Sequence, residues 1–495
     1  MTRSSRGADN PFAVVGVGAS AGGVETLQAF FSPMPPEPGM AFIVVTHLGQ
    51  GYESALPQIL GRSTKLPVLP ARHGDAIEPN RAYVLVSDSV PTLRRGKLNL
   101  RQSANRHEYN PIDVFLASLA EDRGEYSVAV ILSGTGHDGT LGAKAIKEKG
   151  GLTIAQQTDQ TAPRYPDMPD NAMASGAIDL KLPVQDMAGK LVEYVEGLGT
   201  LAVSARGDGR SRRDRIANAS EAICDILRDE LGHNFAGYKE RTFLRRIERR
   251  MQVLELRDIE DYVEHLRQDR QEVVQLFHDL LIGVTAFFRD KEPFEALAER
   301  VIPHLFEDKG TNDAVRVWVP GCATGEEAYS IAMLLLEQMA ELKARPKVVV
   351  FATDIDDPAI SVARAARYPA AMLQDISPQR LDRFFTGDGV SYTLSKDVRD
   401  LCIFSSHSVI RDPPFSRIDL ISCRNLLIYL DKELQERLVP VFHYALRPGG
   451  YLFLGTSESL TRHAELFAPL DRKNRVFQRR DHPGVPLGLP LLIPH

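Results

Sequence analysis

Residues 12–23 read FAVVGVGASAGG, and this stretch decides the fold of the first half of the chain. Its apolar part predicts a buried strand, its glycines predict a tight turn, and residues 24–31 continue as a helix. Further strand-like apolar runs follow at residues 41–46, 82–86 and 127–132, separated by segments of helix length. Strands that alternate with helices predict an α/β fold with a parallel, doubly wound sheet.

The second half begins with helices and then returns to the same alternation. Residues 216–300 are helix-like almost throughout, and strand-like runs reappear at residues 315–319, 347–352, 418–422 and 451–454. A helical subdomain is therefore predicted before a second, Rossmann-like α/β domain. The predicted boundaries are 10–200 for the first α/β domain, 201–215 for a linker, 216–300 for the helical subdomain, 301–480 for the second α/β domain and 481–495 for a proline-rich tail.

Length and composition predict a cytoplasmic protein of several domains. The chain has 495 residues and a formal net charge of -6, so general attraction to nucleic acid or to membranes is not expected. No apolar run is long enough to span a bilayer. The four cysteines lack a C-x-x-C spacing, and the lone histidine-aspartate pair at residues 137–138 lacks the spaced ligand set of zinc or iron. No metal is therefore expected.

The first glycine-rich turn allows two interpretations. The pattern G-x-G-x-x-A at residues 16–21 fits a relaxed dinucleotide-binding fingerprint, whereas G-x-S-x-G at residues 18–22, centred on Ser20, fits a nucleophile elbow. The second strand ends in His47 where a dinucleotide site would offer an acidic residue, which favours the nucleophile. The strand at 127–132 leads to Asp138. We therefore predict a triad of Ser20 as nucleophile, His47 as base and Asp138 as orienting carboxylate.

A second glycine-rich turn follows the strand at residues 315–319. It carries the acidic pair Glu326 and Glu327, which would repel a phosphate and suits a ligand with a cationic centre such as a sulfonium. The next strand ends near Asp354, an acidic residue of the kind that Rossmann-like folds use to bind ribose hydroxyls. Both features lie at strand ends, where open α/β sheets bind their ligands.

The first half resembles the catalytic domain of CheB, the chemotaxis protein-glutamate methylesterase, over residues 10–196. The motifs that carry the resemblance are GASAGG at 18–23, VTHL at 45–48, LSGTGHDG at 132–139, and AQ at 155–156 followed by MP at 168–169. The resemblance implies that Ser20 attacks a γ-glutamyl methyl ester, that His47 is the base and acid, and that Asp138 is the orienter. It also implies that the same site can deamidate glutamine.

Two further expectations follow from the CheB resemblance. The oxyanion donors would be the backbone amides of Ala21 and Thr135, which a change of side chain need not disturb. CheB proteins normally begin with a receiver domain, but only about ten residues precede the first strand. Control by a phosphorylated receiver in the same chain is therefore not expected.

The second half resembles the chemotaxis receptor methyltransferase CheR over residues 216–478, including its helical N-terminal subdomain. The matching motifs are TAFFR at 285–289, GCATGEE at 321–327, ATDID at 352–356, CRNLLIY at 423–429 and RPGGYLFLG at 447–455. The resemblance implies S-adenosylmethionine as the cofactor. The residues that it places in the donor site are Thr285, Arg289, Glu326, Glu327, Asp354, Ser408, Val409, Cys423 and Arg424. Arg289 and Tyr429 would flank the transferring methyl group.

Residues 239–250 predict an amphipathic helix with net positive charge. Arg241, Arg245 and Arg249 repeat at intervals of four on one face, while apolar residues repeat with the same period on another. The stripe can be a solvated face that is partly paired within the helix, or a surface that docks onto an acidic helix. The CheR resemblance favours docking onto the cytoplasmic helices of methyl-accepting chemoreceptors, and no nucleic-acid partner is expected.

The sequence thus leads to the hypothesis of a bifunctional enzyme that removes methyl esters from receptor glutamates and also adds them. One alternative is a signalling scaffold in which one or both sites are inactive. Another is a small-molecule methyltransferase joined to an unrelated hydrolase. The receptor and its methylated glutamates cannot be identified from these residues.

Overall fold

The structure is a computed structural model in which the chain divides into two compact units, Met1–Arg215 and Ile216–His495. It describes residues 12–481 except 48–53, 87–88, 103–109, 159–162, 204–208, 255, 257, 282, 284, 374–375, 388–390 and 461–462. The proline-rich tail predicted at 481–495 therefore lies, after Asp481, outside the described residues.

The first unit alternates strands and helices along the chain. Its strands are β1 (Val14–Ala19), β2 (Ala41–Thr46), β3 (Val68–Pro70), β4 (Arg81–Val84), β5 (Ser89–Arg94), β6 (Lys97–Gln102), β7 (Ser127–Ile131), β8 (Leu152–Gln156) and β9 (Leu180–Leu182). Its helices are α1 (Gly23–Phe31), α2 (Leu56–Gly61), α3 (Pro111–Arg123), α4 (Thr140–Glu148), α5 (Asp167–Ala174) and α6 (Val184–Val203). The two strands β5 and β6 form a separate antiparallel hairpin.

Seven of these strands form one parallel sheet in the order β3-β4-β2-β1-β7-β8-β9. Residues of α1, α2 and α6 pack in the core on one face, and residues of α3, α4 and α5 pack in the core on the other. Strands covered on both faces need apolar side chains in both directions, and every residue of β1 is buried. The predicted doubly wound parallel sheet is confirmed.

The second unit begins with helices that share one apolar core. They are the part of α7 (Gly209–Leu231) that follows Arg215, and α8 (Glu240–Val253), α9 (Ile259–Gln268) and α10 (Arg270–Leu281). Along α7, Ala219, Ile223 and Leu227 are spaced by four and are all buried, as expected for one face of an amphipathic helix.

An α/β domain follows these helices. Its helices are α11 (Lys291–Arg300), α12 (Glu326–Glu341), α13 (Asp357–Ala365), α14 (Pro378–Phe384), α15 (Lys396–Arg399) and α16 (Lys432–Ala445). Its strands are β10 (Ala314–Pro320), β11 (Lys347–Asp354), β12 (Arg367–Pro369), β13 (Phe385–Gly387), β14 (Ser391–Leu394), β15 (Cys402–Ser406), β16 (Ile418–Cys423), β17 (Leu446–Leu454), β18 (Phe467–Asp471) and β19 (Val476–Arg479).

The main sheet of this domain has the order β15-β11-β10-β16-β17-β19-β18. The pairs from β15 to β17 are parallel, while β19 is antiparallel to both β17 and β18. Strands β12, β14 and β13 form a small antiparallel sheet. The predicted Rossmann-like arrangement after a helical subdomain is confirmed.

The segment predicted as a linker is helical in part. Helix α6 extends to Val203 and α7 begins at Gly209, so helix covers residues 201–203 and 209–215. Arginine is a good helix former, so a stretch rich in arginine can continue a helix that is anchored elsewhere by its apolar face. The other domain boundaries remain predictions.

Candidate active sites

Ser20, His47 and Asp138 lie together at the carboxyl end of the first sheet. They follow β1, β2 and β7, which are neighbours in the order β2-β1-β7. The Ser20 Oγ lies 2.9 Å from Nδ1 of His47, and Nε2 of His47 lies 2.9 Å from Oδ2 of Asp138. These contacts form a continuous hydroxyl-imidazole-carboxylate relay, which is the arrangement that activates a serine nucleophile.

The Asp138 carboxylate is held by the start of helix α3. The backbone amide of Ile112 donates to Oδ2 at 3.0 Å, and the amide of Asp113 donates to Oδ1 at 2.8 Å. The first amides of a helix have no partner within the helix, and the helix dipole favours an anion at that end. Asp138 is 2% exposed, so these donors and the imidazole replace the water that it has lost.

The turn under Ser20 is packed too closely for a side chain at position 134. A Cβ added to Gly134 would lie 2.2 Å from the sulfur of Met168 and 2.9 Å from the Cβ of Ser20. The Ser20 amide donates to the carbonyl of Ser133 at 2.9 Å, which fixes the backbone of the serine against the same loop. The glycine in the LSGTG motif therefore follows from the close approach of this loop to Ser20 and Met168.

The amides of Ala21 and Thr135 border the same site. Within the described part of the chain, neither amide donates a hydrogen bond to another residue. Their role as oxyanion donors remains a prediction.

The second unit contains an open cleft at the carboxyl ends of β10, β11 and β16. Its walls include residues of the helical subdomain and of the α/β domain. The predicted site residues that line it are Thr285, Arg289, Glu327, Asp354, Ser408, Val409, Arg424 and Tyr429. A pocket that is walled by acids, arginines and aromatic groups offers convergent polar contacts to a bound ligand.

Glu327 and Asp354 are the acidic groups that sequence reasoning placed in this cleft. The Ser422 hydroxyl donates to Oε1 of Glu327 at 2.6 Å. The amides of Ala323 and Asp356 donate to the two carboxylate oxygens of Asp354 at 2.8 and 3.0 Å. Burial raises the pKa of Asp354, whereas these amides lower it. Each carboxylate is thus held in a fixed orientation by neighbouring donors.

Arg424 is held between two aromatic rings and a carboxylate. Its guanidinium lies 4.9 Å from the ring centroid of Phe294 and 4.8 Å from that of Phe453. Its Nη2 donates to the Asp290 carboxylate at 2.9 Å. Burial lowers the pKa of Arg424, whereas the charges of Glu327 and Asp290 raise it. The residue supplies a fixed cationic plane beside the acidic groups.

Two residues predicted for the donor site are not among the described residues that line the cleft. Glu326 and Cys423 are fully buried, and Glu326 accepts a hydrogen bond from the Thr324 hydroxyl at 2.7 Å. Glu326 begins α12, so the next residue lies about 100° further around the helix and only Glu327 faces the cleft. Cys423 ends β16, where successive side chains alternate between the two faces of the sheet.

Several lining residues were missed by the sequence reasoning. Tyr238 comes from the loop between α7 and α8, and the amide of the next residue, Lys239, donates to the Tyr429 carbonyl at 2.9 Å. Asn425 and His407 also line the cleft. Asn425 stands within the quoted CRNLLIY motif and could have been found there. No sequence motif marks Tyr238, because its place in the cleft depends on how the helical subdomain packs against the α/β domain.

The arginine stripe predicted on one face of α8 is only partly accessible. Arg249 is 6% exposed and Arg245 is half-buried, while the side chain of Arg241 lies outside the described part. Helix α10 packs against α8 and brings Glu272, which accepts from Nε and Nη2 of Arg250 at 2.9 and 2.6 Å. The expectation that Arg249 belongs to an exposed face is wrong, because acids on α10 meet this part of the helix.

Over the residues that the structure describes, no three His, Cys, Asp or Glu side chains cluster as metal ligands. In the same residues, no helix has both the length and the apolar character that crossing a membrane requires.

Comparison with known proteins identifies the second unit. The family model described as the SAM binding domain of CheR methyltransferase matches residues 283–476, and that of its all-alpha domain matches residues 218–281. The putative methyltransferase Cher3 of Pseudomonas putida is 30% identical over 257 residues, which cover 50% of this chain and 91% of that protein. The chain belongs to the CheR methyltransferase family. The family model described as CheB methylesterase matches residues 15–191, so a CheB domain precedes the CheR domains.

Two further similarities concern the arrangement of the domains. An uncharacterised 104.1 kDa protein of Rhodobacter capsulatus is 37% identical over 449 residues, which cover 87% of this chain and 47% of that protein. The chain thus spans about half the length of that relative. The CheB methylesterase catalytic domain of Thermotoga maritima is 29% identical, with a TM-score of 0.35, and its match covers 38% of this chain and 100% of that one.

S-adenosylmethionine, the cofactor of the CheR family, fits the groups in the cleft. Its sulfonium and ammonium are cationic, and Glu327 is a carboxylate among the lining residues. Asp354 ends β11, next to the glycine-rich turn after β10, where Rossmann-like folds bind ribose hydroxyls. We expect Glu327 and Asp354 to hold these two parts of the cofactor.

The affinity for S-adenosylmethionine should depend on the ionisation of Glu327. Burial raises the pKa of Glu327 to about 7, although the Arg424 and Arg289 guanidiniums and the Ser422 hydroxyl oppose this rise. If the carboxylate binds the cation, affinity should increase about fivefold from pH 6 to pH 7, since the ionised fraction rises from about 9% to about 50% over that interval. Equilibrium dialysis with the labelled cofactor measures this change. In Glu327→Gln, the affinity should no longer change between pH 6 and pH 7. The same change in both proteins would contradict the assignment of Glu327 to the cationic part of the cofactor.

Proposed function

We propose that the chain is a cytoplasmic enzyme that modifies receptor glutamates in both directions. The CheB domain hydrolyses glutamate methyl esters of chemotaxis receptors, and the CheR domain transfers methyl groups from S-adenosylmethionine to the glutamate carboxylates. The relay of Ser20, His47 and Asp138, with two contacts of 2.9 Å, is the observation that carries the hydrolytic half. The acidic cleft and the match to the SAM binding domain support the transferase half.

Ester hydrolysis would proceed through an acyl-enzyme. The Ser20 Oγ attacks the ester carbonyl while Nδ1 of His47 accepts the serine proton. The oxyanion that forms is stabilised by the amides of Ala21 and Thr135. The imidazolium then protonates the departing methoxide, so methanol leaves and the glutamyl group remains on Ser20. Asp138 accepts from Nε2 throughout and favours the protonated imidazole.

The second half of this cycle restores the serine. A water molecule gives a proton to Nδ1 of His47 and attacks the glutamyl-serine ester. The imidazolium then returns a proton to the departing Ser20 Oγ, which releases the glutamate and restores the neutral imidazole. The same steps on a glutamine side chain would release ammonia instead of methanol. Deamidation therefore requires no additional residue, and we include it in the proposal.

Methyl transfer needs less from the protein because the acceptor is already a nucleophile. A glutamate carboxylate is ionised at neutral pH, with a reference pKa of about 4.3, so no dedicated base is required. S-adenosylmethionine supplies a methyl group on a sulfonium that leaves as a neutral thioether. Arg289 and Tyr429, which line the cleft, would orient the acceptor carboxylate against this methyl group.

Helix α8 is the surface that we assign to receptor docking. Arg246 and Arg249 are buried and Arg250 is paired with Glu272, so they contribute little to an exposed surface. Arg245 is the half-buried member of the predicted stripe. Among the described side chains of the predicted stripe, an acidic receptor helix would therefore meet α8 through Arg245 rather than through Arg249.

The variant Arg245→Glu should weaken binding of a glutamate-rich receptor helix about tenfold at low ionic strength, since it places like charges across the contact. The loss should shrink as salt is added, because exposed charges are screened. Fluorescence anisotropy of a labelled receptor fragment measures the binding. Arg399→Glu, an exposed arginine on α15, is the matched control and should bind normally. Equal losses in both variants would argue for a general charge effect instead of docking on α8.

The proposed function as a whole is tested with the wild-type chain and candidate receptor fragments. Incubation with labelled S-adenosylmethionine should give base-labile methyl esters on glutamate, located by mass spectrometry. Incubation with a fragment methylated beforehand should release methanol. A chain that binds these fragments but performs neither reaction is a scaffold, and labelling of small metabolites without protein would indicate a different methyltransferase.

A further inference from the structure

Helices α3 and α4 of the CheB domain cap each other through two carboxyl groups. Asp138, just before α4, accepts hydrogen bonds from the amides of Ile112 and Asp113 in the first turn of α3. Asp113 in turn accepts a hydrogen bond from the amide of Gly142 in the first turn of α4, at 2.7 Å. Each carboxyl thus satisfies backbone donors of the other helix, which are otherwise left without partners.

The packing around these caps leaves little freedom. A Cβ added to Gly142 would lie 2.5 Å from the Cβ of Leu116 and 3.1 Å from the Cα of Asp113. The backbones of the two helices therefore approach closely at the capped ends. Asp113 and Asp138 are 7% and 2% exposed. If either carboxyl were removed, water would not readily take its place as the acceptor for the helix amides.

The two carboxyl groups have different surroundings. Asp138 has two backbone donors and the imidazole of His47. The Oδ2 of Asp113 has no hydrogen-bond partner among the described residues. Burial raises the pKa of Asp113 well above its ordinary value, the neighbouring Asp138 charge adds to the rise, and the amides of α4 oppose it. The carboxyl of Asp113 therefore has fewer hydrogen-bond donors than that of Asp138, and the hydrogen bond that it accepts from Gly142 is the cap on α4.

We propose that Asp113 is a positioning residue of the esterase site, whose carboxyl caps α4 and thereby fixes the Asp138 carboxylate against His47. Asp113 does not touch the reacting atoms. It holds the start of α4 against the start of α3, and Asp138 lies in the turn that leads into α4. This inference rests on the proposed ester hydrolysis.

Loss of the cap should lower kcat and leave KM unchanged. In Asp113→Ala the Gly142 amide loses its acceptor and the Asp138 turn can shift, and a displacement of about 1 Å at such a site reduces the rate by about 100-fold. Asp113→Asn keeps an oxygen that accepts from Gly142 and is neutral, so its kcat should stay within about threefold of wild type. Methanol release measures both, and methyl transfer by the same chain, which does not involve Asp113, is the internal control.

A double-mutant cycle separates positioning from general stability. If Asp113 acts through Asp138, Asp113→Ala should cause almost no further loss of kcat in an Asp138→Ala background. An equal loss in both backgrounds, or a loss that appears in KM, overturns the inference. If Asp113→Ala does not fold, the Asn variant decides, because a kcat more than tenfold below wild type also overturns it. Absence of methanol release by the wild-type chain would reject the proposed function itself.

Discussion

Replacement of Ser20 by alanine is expected to abolish methanol release from a methylated receptor fragment and to leave methyl transfer at the wild-type rate. In the proposed cycle, Oγ of Ser20 is the atom of the relay that forms a covalent bond to the substrate. Without it, His47 and Asp138 have no nucleophile to activate, and a loss of kcat of about 10⁴-fold or more is expected for such a change. Methyl transfer depends on residues of the CheR domains.

The comparison for this prediction is Ser32→Ala, which removes an exposed hydroxyl at the end of α1. That variant should release methanol normally. Both proteins are assayed for methanol and for methyl transfer in parallel. Substantial methanol release by Ser20→Ala, after exclusion of spontaneous ester hydrolysis in a blank, would assign the nucleophile elsewhere.

Replacement of Asp354 by alanine should have the opposite pattern, with methyl transfer reduced at limiting S-adenosylmethionine and methanol release preserved. The carboxylate ends β11 at the cleft and is held by the amides of Ala323 and Asp356. Hydrogen bonds to a charged group contribute about 1.5–3 kcal/mol each, so loss of the ribose contact should weaken cofactor binding by about 10- to 100-fold. Calorimetric titration with S-adenosylmethionine measures this change directly.

Asp382→Ala, on the exposed side of α14, is the matched control and should bind the cofactor as the wild type does. Because Asp354 also accepts from the Ala323 amide, the thermal unfolding midpoint of each variant is needed without ligand. Normal cofactor affinity in a folded Asp354→Ala protein would contradict the ribose assignment. Together with Ser20→Ala, this variant assigns each activity to its own domain.

The proposed hydrolytic site could be predicted from the sequence because its geometry follows from a general property of parallel sheets. Ser20, His47 and Asp138 each come shortly after a strand, and carboxyl ends of parallel strands share one edge. The remaining requirement was that the three strands be neighbours, and β2, β1 and β7 are adjacent in the sheet. Strands that were predicted from local sequence patterns thus located three residues that are far apart in the chain at one edge of the sheet.

Features that depend on packing between helices could not be predicted in this way. The spacing of arginines within α8 predicts an exposed stripe that includes Arg249, but Arg249 is buried and α10 brings Glu272 against that helix. The residues Glu326 and Glu327 are adjacent in sequence, and the direction in which α12 turns its first residues decides which one faces the cleft. Neither fact is encoded in local periodicity.

The mutual caps of α3 and α4 were also absent from the sequence reasoning. Asp113 stands at the third position of α3, where an acidic residue is ordinarily favoured by the helix dipole alone. Its hydrogen bond goes instead to Gly142 of another helix. The preference for acidic residues in the first turn of a helix already explains Asp113, so the sequence gives no sign of its hydrogen bond with Gly142.

The loop between α7 and α8 ties the helical subdomain to the strand ends of the α/β domain. The amide of Lys239 donates to the carbonyl of Tyr429, and the amide of Asp431 donates to the carbonyl of Gly237, both at 2.9 Å. Tyr238, between these two contacts, forms part of the cleft wall. Any shortened version of this enzyme that starts after α10 would therefore open one side of its own binding pocket, and dissection of the two activities has to cut the chain ahead of α7.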